Sequence, residues 1–331
     1  MPCRWEETPE DQLSTWDRRL QSSGACFHQY PYWIDSQASW RLRTSYLMGI
    51  LNNEPVAFVG LLRYGFLRLR IGLVREGPVW LRDLDDDSID AMLQSLAAAL
   101  RDRGFVAVSF THQDARLLSR ISQQAPSNRD SLFSFPVDER ESLCVAQSDT
   151  DEATAATFAP VARRNIRRAV EAGFDIECPP VVEALNRAWP VWQRAHQQPY
   201  LHGRSRRNIA ALLRRASEFD ALRLYLASRG GVTIQAILVA IAGGRATYVL
   251  GGLDRDALGR DPSPSCLLHF RAMRECHGLG CAEYDLGSRS GPVHRFKLKF
   301  RPVERQRALP VNWVLEPAAY EICRRLLPRL S

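Results

Sequence analysis

Apolar and polar positions along this chain follow two periods, and the same succession of periods occurs twice. In the first half, Tyr46–Leu51 and Val56–Leu62 have the composition of strands and are joined at Asn52-Asn53-Glu54-Pro55, a hairpin signal. A third strand is predicted at Leu67–Leu73, before Gly77-Pro78-Val79-Trp80. Ser88–Arg103 then repeats its apolar residues at helical spacing until Gly104, and Phe105–Phe110 returns as a strand. The second half runs in the same order. Leu222–Ser228 and Ile234–Ala242 flank Arg229-Gly230-Gly231-Val232, Arg245–Gly251 follows, Ser263–His277 is a helix ended by Gly278, and Ala282–Leu286 is a strand. Two strands, a third, a helix and a returning strand, written twice, predict a tandem α/β architecture.

A polar stretch, 147–157, separates the copies. After it, Pro160–Ala172 places Ala162, Ile166, Ala169 and Val170 along one helical face and stops at Gly173. Arg163, Arg164, Arg167 and Arg168 occupy its flanks, a pattern that fits a solvated face and a nucleic-acid contact equally. The expected division is therefore a first domain over 1–147 and a second over 148–331.

Composition agrees with this plan. At 331 residues, 45% apolar and 24% charged, the chain has room for two cores, and disorder, collagen and coiled coil are excluded. Charge distinguishes the halves: residues 1–150 carry 16 basic against 20 acidic side chains, and residues 151–331 carry 28 against 17. A polyanion is expected on the second half. No apolar run reaches the roughly 18 residues of a membrane span, and the N-terminal residues do not read as a signal or transit peptide, so a cytoplasmic location without stable membrane insertion is expected. The eight cysteines form no CxxC pair, which fits reduced thiols. Cys266, His269, Cys276, His277 and Cys281 cluster locally, but Cys266, His269, Met273 and Cys276 share one helix face as a buried stripe does, so no metal is expected.

Of the 44 basic residues only Lys297 and Lys299 are lysines. Both lie in Arg295-Phe-Lys-Leu-Lys-Phe-Arg301, whose strict alternation predicts a strand with Arg295, Lys297, Lys299 and Arg301 on one face and Phe296, Leu298 and Phe300 on the other. Arginine used nearly everywhere and lysine kept at these two places points to a compact ammonium beside a developing oxyanion, where a broad guanidinium does not fit. Upstream, Tyr284-Asp-Leu-Gly-Ser-Arg-Ser-Gly291 ends a strand in a Gly/Ser turn whose amides are suited to an anion or carbonyl oxygen. Arg289 holds the serine position of GxSxG, and no P-loop, GxGxxG or HExxH is present.

Several segments together carry a family resemblance. They are Phe27-His-Gln-Tyr-Pro-Tyr-Trp33, Arg164-Asn-Ile-Arg-Arg-Ala-Val-Glu-Ala-Gly173, Gly251-Gly252, Cys266-Leu-Leu-His-Phe-Arg-Ala-Met273, Tyr284-Asp-Leu-Gly287 and Phe296-Lys-Leu-Lys-Phe300. In this order and spacing the chain resembles the Fem-type aminoacyltransferases over almost its whole length. The resemblance implies an α/β fold of two tandem GNAT-like (acyl-CoA N-acyltransferase) domains, mixed sheets flanked by helices. It implies transfer of an amino acid from the 3′ end of an aminoacyl-tRNA to an amine, in that family on the stem peptide of a peptidoglycan precursor. It assigns Phe296 and Lys297 to the reacting centre. The basic residues Lys299, Arg295, Arg301, Arg305 and Arg307 are the expected tRNA contacts, and Trp33, Arg41, Arg164, Arg204 and Tyr248 the expected acceptor contacts. The expected partners are aminoacyl-tRNA and a peptide or small-molecule amine, without DNA, cofactor or metal.

The chain departs from the family pattern in three ways. Arg301 stands where the family has glycine, which is expected to alter a backbone turn. There is no room for the long helical arm of some members. Ile34–Trp40 has no basic residue to hold a precursor diphosphate, which favours an amine in a peptide or specialised metabolite. Two other functions remain open at this point: a tandem GNAT N-acyltransferase using a CoA or carrier-protein thioester, and a non-catalytic RNA-binding module. Against the thioester, Asp254-Arg-Asp-Ala-Leu-Gly-Arg-Asp261 does not match a Q/R-x-x-G-x-G/A phosphate loop.

Overall fold

The computed structural model describes residues 3–39, 42–66, 69–128, 141–196, 205–288, 293–306 and 310–326. The chain forms two units, one of Met1–Arg140 with Gln306–Ser331 and one of Glu141–Arg305. Strands β1 (Cys3–Glu7), β2 (Leu42–Leu51), β3 (Glu54–Phe66), β4 (Leu69–Arg75), β5 (Val79–Trp80), β6 (Phe105–Thr111) and β7 (Ser127–Asn128) belong to the first unit. The second sheet holds β8 (Glu141–Ala146), β9 (Asp175–Glu177), β10 (Leu222–Arg229), β11 (Val232–Ala242), β12 (Arg245–Leu253), β13 (Glu283–Ser288) and β14 (Val303–Gln306). The chain then returns to the first unit with β15 (Val311–Val314).

The first sheet has the order β1-β2-β3-β4-β6-β15-β7, with β5 on β3; the second has the order β14-β8-β13-β12-β11-β10-β9. Each contains an antiparallel meander, a crossover helix and a parallel return, β4 to β6 through Asp86–Asp102 and β12 to β13 through Ser265–Gly278. This is the repeat that the periodicity predicts. The hairpin at Asn52-Asn53 forms because both asparagines take left-handed φ angles, 53° and 66°, which asparagine tolerates and a two-residue hairpin needs. Asp86–Asp102 starts where the Asp85 carboxylate accepts from Ser88 N–H at 2.7 Å, and it buries Met92, Leu93, Leu96 and Leu100 at three- and four-residue spacing. No helix among the described residues is longer than this 17-residue one, and none is long and apolar enough to cross a membrane.

The boundaries differ from the expected 147/148 division. β8 starts the second unit at 141 because it pairs with β13, Val145 opposite Tyr284. Residues 306–331 join the first unit because β15 inserts beside β6, with Trp313 opposite Val108. Trp313 is fully buried, donates from Nε1 to Ile121 O at 2.5 Å and meets Phe110 edge-on at 4.5 Å.

A second correction concerns Arg295–Arg301, which is not a strand. His294–Lys297 is a helical turn and Leu298–Phe300 a 3-10 turn. Phe296, Lys297 and Phe300 turn inward while Arg295 and Leu298 face out. Two phenylalanines four residues apart satisfy a helical period as well as an alternating one. Packing selects the helix: Phe300 meets Phe158 at 5.1 Å and Phe296 at 5.4 Å. Arg301 ends the turn at φ 49°, ψ 52°, the left-handed conformation that glycine takes freely, so the turn itself is kept and the arginine side chain is exposed.

Trp313→Ala is expected to destabilise the first unit by about 3–5 kcal/mol, from lost burial and an orphaned Ile121 carbonyl. Urea titration followed by hydrogen exchange at the Val108 and Ser109 amides checks this, with early exchange in the variant as the expected outcome.

Candidate active site

In the second unit the parallel strands come apart. β12 and β13 pair at Arg245–Glu283, Ala246–Tyr284 and Thr247–Asp285 and no further, although β12 continues to Leu253 and β13 to Ser288. Two irregularities produce the gap. β12 shifts register against β11 between the Val239–Tyr248 and Leu238–Leu250 pairs, and β13 shifts against β8 between Asp285 and Ser288. The corresponding pair in the first unit, β4 and β6, remains paired to its end at Arg75–Thr111. Parting strands release main-chain groups from the ladder and open a space between layers, where a ligand's own amide or carbonyl can replace the missing strand.

Lys297 is directed into that space. It is 6% exposed, and its Nζ lies 3.8 Å from where a Cβ on Gly287 would stand; Tyr248 O lies 3.7 Å from the same point. Gly287 has φ +76°, and its N–H donates to Asp285 Oδ1 at 2.7 Å. A side chain at 287 would be strained by that φ, and its Cβ would stand in van der Waals contact with the ammonium. Burial lowers the Lys297 pKa from the ordinary lysine value, and the carboxylate of Asp285, itself buried, works in the opposite direction.

Aromatic rings surround His269 beside the ammonium. It shares a hydrogen bond from Nδ1 with Tyr284 Oη at 3.2 Å and lies edge-on to Tyr248 at 4.9 Å, with Phe296 at 5.4 Å and Phe300 at 6.0 Å. Burial, then the Lys297 charge, pushes its pKa down to about 3, so the imidazole is neutral at physiological pH. Burial also pushes Tyr248 up to about 12 and Tyr284 well above the usual tyrosine value. The enclosure is thus uncharged apart from Lys297 and Asp285. It can hold a polarised carbonyl against one ammonium, the arrangement that favours a tetrahedral oxyanion.

The structure brings Phe296, Lys297, Lys299 and Tyr248 together. Lys299 Nζ stands over the Phe296 ring at 5.7 Å. Tyr248 packs across Gly251, where a Cβ would collide with its ring, and His196 Nε2 meets Gly251 O at 2.9 Å. Arg295 and Arg301 are exposed on the same turn. Arg305 is ion-paired with Glu283, which also holds Arg245 at 3.2 Å. Arg164 is exposed on the helix Pro160–Glu171. Trp33 is a core residue of the first unit, 4% exposed and edge-on to Phe27 at 4.6 Å. Arg41, Arg204 and Arg307 lie outside the described residues. The cysteine and histidine cluster is dispersed: Cys266 Sγ accepts from Asn165 Nδ2 at 3.9 Å, Cys276 Sγ is 3.6 Å from Tyr225 Oη, and His277 Nδ1 is 3.3 Å from Cys281 O. Asp285, His269 and Gly287 are the site residues that the sequence did not single out by role, although each lies in a quoted segment.

Residues 158–297 match the family model described as an acetyltransferase (GNAT) domain. Over the whole chain, the structure is similar to FemX at 12% identity, with a TM-score of 0.78, 96% of this chain and 100% of that one being covered. The chain has the Fem-like tandem GNAT fold. Its second unit is a GNAT acyltransferase domain. L-PGS from Bacillus licheniformis is similar at 12% identity and TM-score 0.58, covering 97% of this chain and 98% of that one. A tandem GNAT protein from the clavulanic acid biosynthesis pathway is similar at 12% identity and TM-score 0.51, covering 95% and 99%. No curated protein matches in sequence.

The neutral His269 links this GNAT domain's stability to pH. Its folded pKa lies below the unfolded value of 6.5, so its contribution is complete above about pH 6.5 and is lost as pH falls toward about 3. His269→Gln is expected to flatten that slope, by on the order of 3 kcal/mol near about pH 4.5. Denaturant unfolding of both proteins at neutral and acid pH measures it.

Proposed function

We propose that this acyltransferase moves an amino acid from the 3′ end of an aminoacyl-tRNA to an amine of a peptide, peptidoglycan precursor or specialised metabolite, forming an amide. The observation that carries the proposal is the buried ammonium of Lys297 at the parting of β12 and β13. An aminoacyl ester is already activated. The acceptor nitrogen attacks its carbonyl carbon, the carbonyl oxygen gains negative charge beside Lys297, and the C–O bond to ribose breaks as the C–N bond persists. The proton lost by the amine ends on the departing ribose oxygen. No side-chain nucleophile is required, and His269, with a pKa of about 3, is too weak a base to take that proton.

Phe296 forms a wall of the reacting centre, and Lys299, over its ring, with Arg295 and Arg301 exposed on the same turn, are the cations offered to the tRNA 3′ end; Arg305 has Glu283 as counterion. Tyr248 is the acceptor-side contact that adjoins Lys297. Likeness to FemX and the Fem-type resemblance support the aminoacyl donor, as does a structural neighbour named as a putative lysylphosphatidylglycerol synthetase, an enzyme whose named product is an aminoacylated lipid.

An acyl-CoA or carrier-protein thioester is the second candidate donor, favoured by the match to an acetyltransferase (GNAT) domain. Against it, the short helix Arg255–Leu258 after β12 has its first turn taken: Asp254 accepts from Ala257 N–H at 3.1 Å and pairs with Arg194 at 2.5 Å. The amide that would face a pyrophosphate is thus already satisfied by the protein's own carboxylate.

Lys297→Met is expected to lower turnover about 10²–10³-fold with tRNA binding largely kept. In the wild type the rate is expected to fall as pH rises through a value below 10.5, where Lys297 loses its proton, and the variant is expected to lack this limb. Release of labelled amino acid from a charged tRNA pool in the presence of candidate amines measures both, and near-wild-type turnover of the variant removes Lys297 from the mechanism. Titration calorimetry with acetyl-CoA distinguishes the donors, with no binding expected; micromolar affinity favours the thioester, and no aminoacyl release with any amine favours a binding module without catalysis.

A further inference from the structure

The helix Pro160–Glu171 carries a charge that its packing does not need. Its inner face is Ala162 and Ala169, both fully buried, with Ile166 against the core and Asn165 reaching Cys266. Its outer face is Arg163, Arg164, Arg167 and Arg168, all exposed. These form two like-charged pairs four residues apart, Arg163 with Arg167 and Arg164 with Arg168, an arrangement that repels on an isolated helix. Several other arginines of the same unit have counterions: Arg187 with Glu177, Arg194 with Asp254, Arg229 with Asp261, Arg245 and Arg305 with Glu283, Arg274 with Asp151. Among the described residues no carboxylate makes an ion pair with any of the four. Arg163 donates to Ala156 O at 3.1 Å, a neutral partner that leaves its charge uncompensated.

This helix is fastened to the reacting centre. Ala159 N–H donates to Lys299 O at 2.9 Å, and Phe158, just before the helix, packs edge-on to Phe300 at 5.1 Å. The positive charge of Lys299 acts on the Cys266 thiol, which Asn165 of the helix contacts. The helix is therefore tied, within one unit, to the turn that carries Phe296, Lys297 and Lys299.

We infer that the outward arginine face of Pro160–Glu171 seats the phosphodiester backbone of the RNA donor, so that its 3′ ester is delivered past Lys299 to Lys297. This rests on the aminoacyl-tRNA reading above and transfers Arg164 from the acceptor to the donor. Residues four apart on a helix are about 6 Å apart along its axis, and two parallel rows of guanidinium forks suit a run of phosphates, each able to accept two hydrogen bonds from one fork. The face presents no aromatic ring to stack on a base, so the contact reads backbone and not sequence. Its one exposed apolar neighbour is Val170, whereas a helix that lies on a lipid surface sets a broad apolar face against the membrane. The charge complement is thus an RNA strand and not an anionic bilayer.

The test is fluorescence anisotropy with uncharged tRNA and with an acceptor-stem hairpin, across a salt series, on the wild type, on Arg164→Gln/Arg167→Gln/Arg168→Gln, and on Arg207→Gln/Arg214→Gln as a control from the helix Arg206–Ser217. Each lost phosphate contact removes about 0.7–0.9 from the log–log salt slope. The triple variant is expected to bind both RNAs at least tenfold more weakly, with a slope lower by roughly 2, and the control to match the wild type. Circular dichroism and thermal unfolding verify that the triple variant is folded. Unchanged affinity and slope in the triple variant, with salt-dependent binding by the wild type, overturns the docking face alone. Salt-independent or absent RNA binding by the wild type overturns the RNA donor and the docking face together. Flotation with phosphatidylglycerol vesicles covers the lipid surface: binding lost in the triple variant there, with RNA binding intact, overturns the inference.

Discussion

A lysine ammonium inside a protein must have its charge accommodated, and the second unit is arranged around that requirement. The register shifts in β12 and β13 part the parallel strands after Thr247 and Asp285, which makes room between the layers. Gly287 turns beside that room in a left-handed conformation, its amide tied to Asp285, so no side chain competes with Lys297 for the space. Asp285 supplies the compensating charge, and the rings around His269 exclude water without adding another. A neutral imidazole is the neighbour that such an ammonium tolerates: a protonated one would repel it. The first unit repeats the architecture but keeps β4 and β6 zipped to their ends, so it has the scaffold without this opening.

Most of the regular fold is visible in the sequence because its elements are locally overdetermined. The Asn52-Asn53 hairpin, the capped helix after Asp85 and the alternating strands of both meanders each carry propensity, pattern and turn chemistry that agree. The misreading of Arg295–Arg301 has a simple cause. Phe296 and Phe300 are four residues apart, a spacing shared by both periods, and the deciding partner, Phe158, is far away in sequence. The strands β8 and β15 escape notice for a related reason: each is short, and its pairing partner lies more than a hundred residues distant. At the site, Lys297 was legible from composition alone, as one of two lysines among 44 basic residues. Asp285 and His269 were not. A carboxylate within a strand and a histidine in an apolar helix acquire their roles only from the register of β13 and the burial of Ser265–Gly278.

Charge in the second unit is used in three distinct ways. Salt bridges such as Arg187–Glu177 and Arg274–Asp151 fasten elements at the surface and cancel locally. The Lys297–Asp285 pair acts inside, where low dielectric magnifies each charge. The exposed arginines of Pro160–Glu171 make no ion pair among the described residues, so their field extends into solvent. The excess of basic over acidic residues in 151–331 counts all three alike and adds the arginines of 306–331, which belong to the first unit; the structure separates them.

The placement of β15 has a consequence for how the protein is made. The sheet of the first unit is interrupted between β6 and β7 until residues 311–314 arrive, whereas the second unit is one continuous stretch ending at 305. Chains emerging from the ribosome normally complete their N-terminal part first. Here the order of completion is inverted: the later-synthesised unit has all its strands while the earlier one still lacks an inner member and leaves the β6 edge open. The β6 strand, Phe105–Thr111, is mostly apolar, so during that interval its exposed edge is prone to pairing with a neighbour.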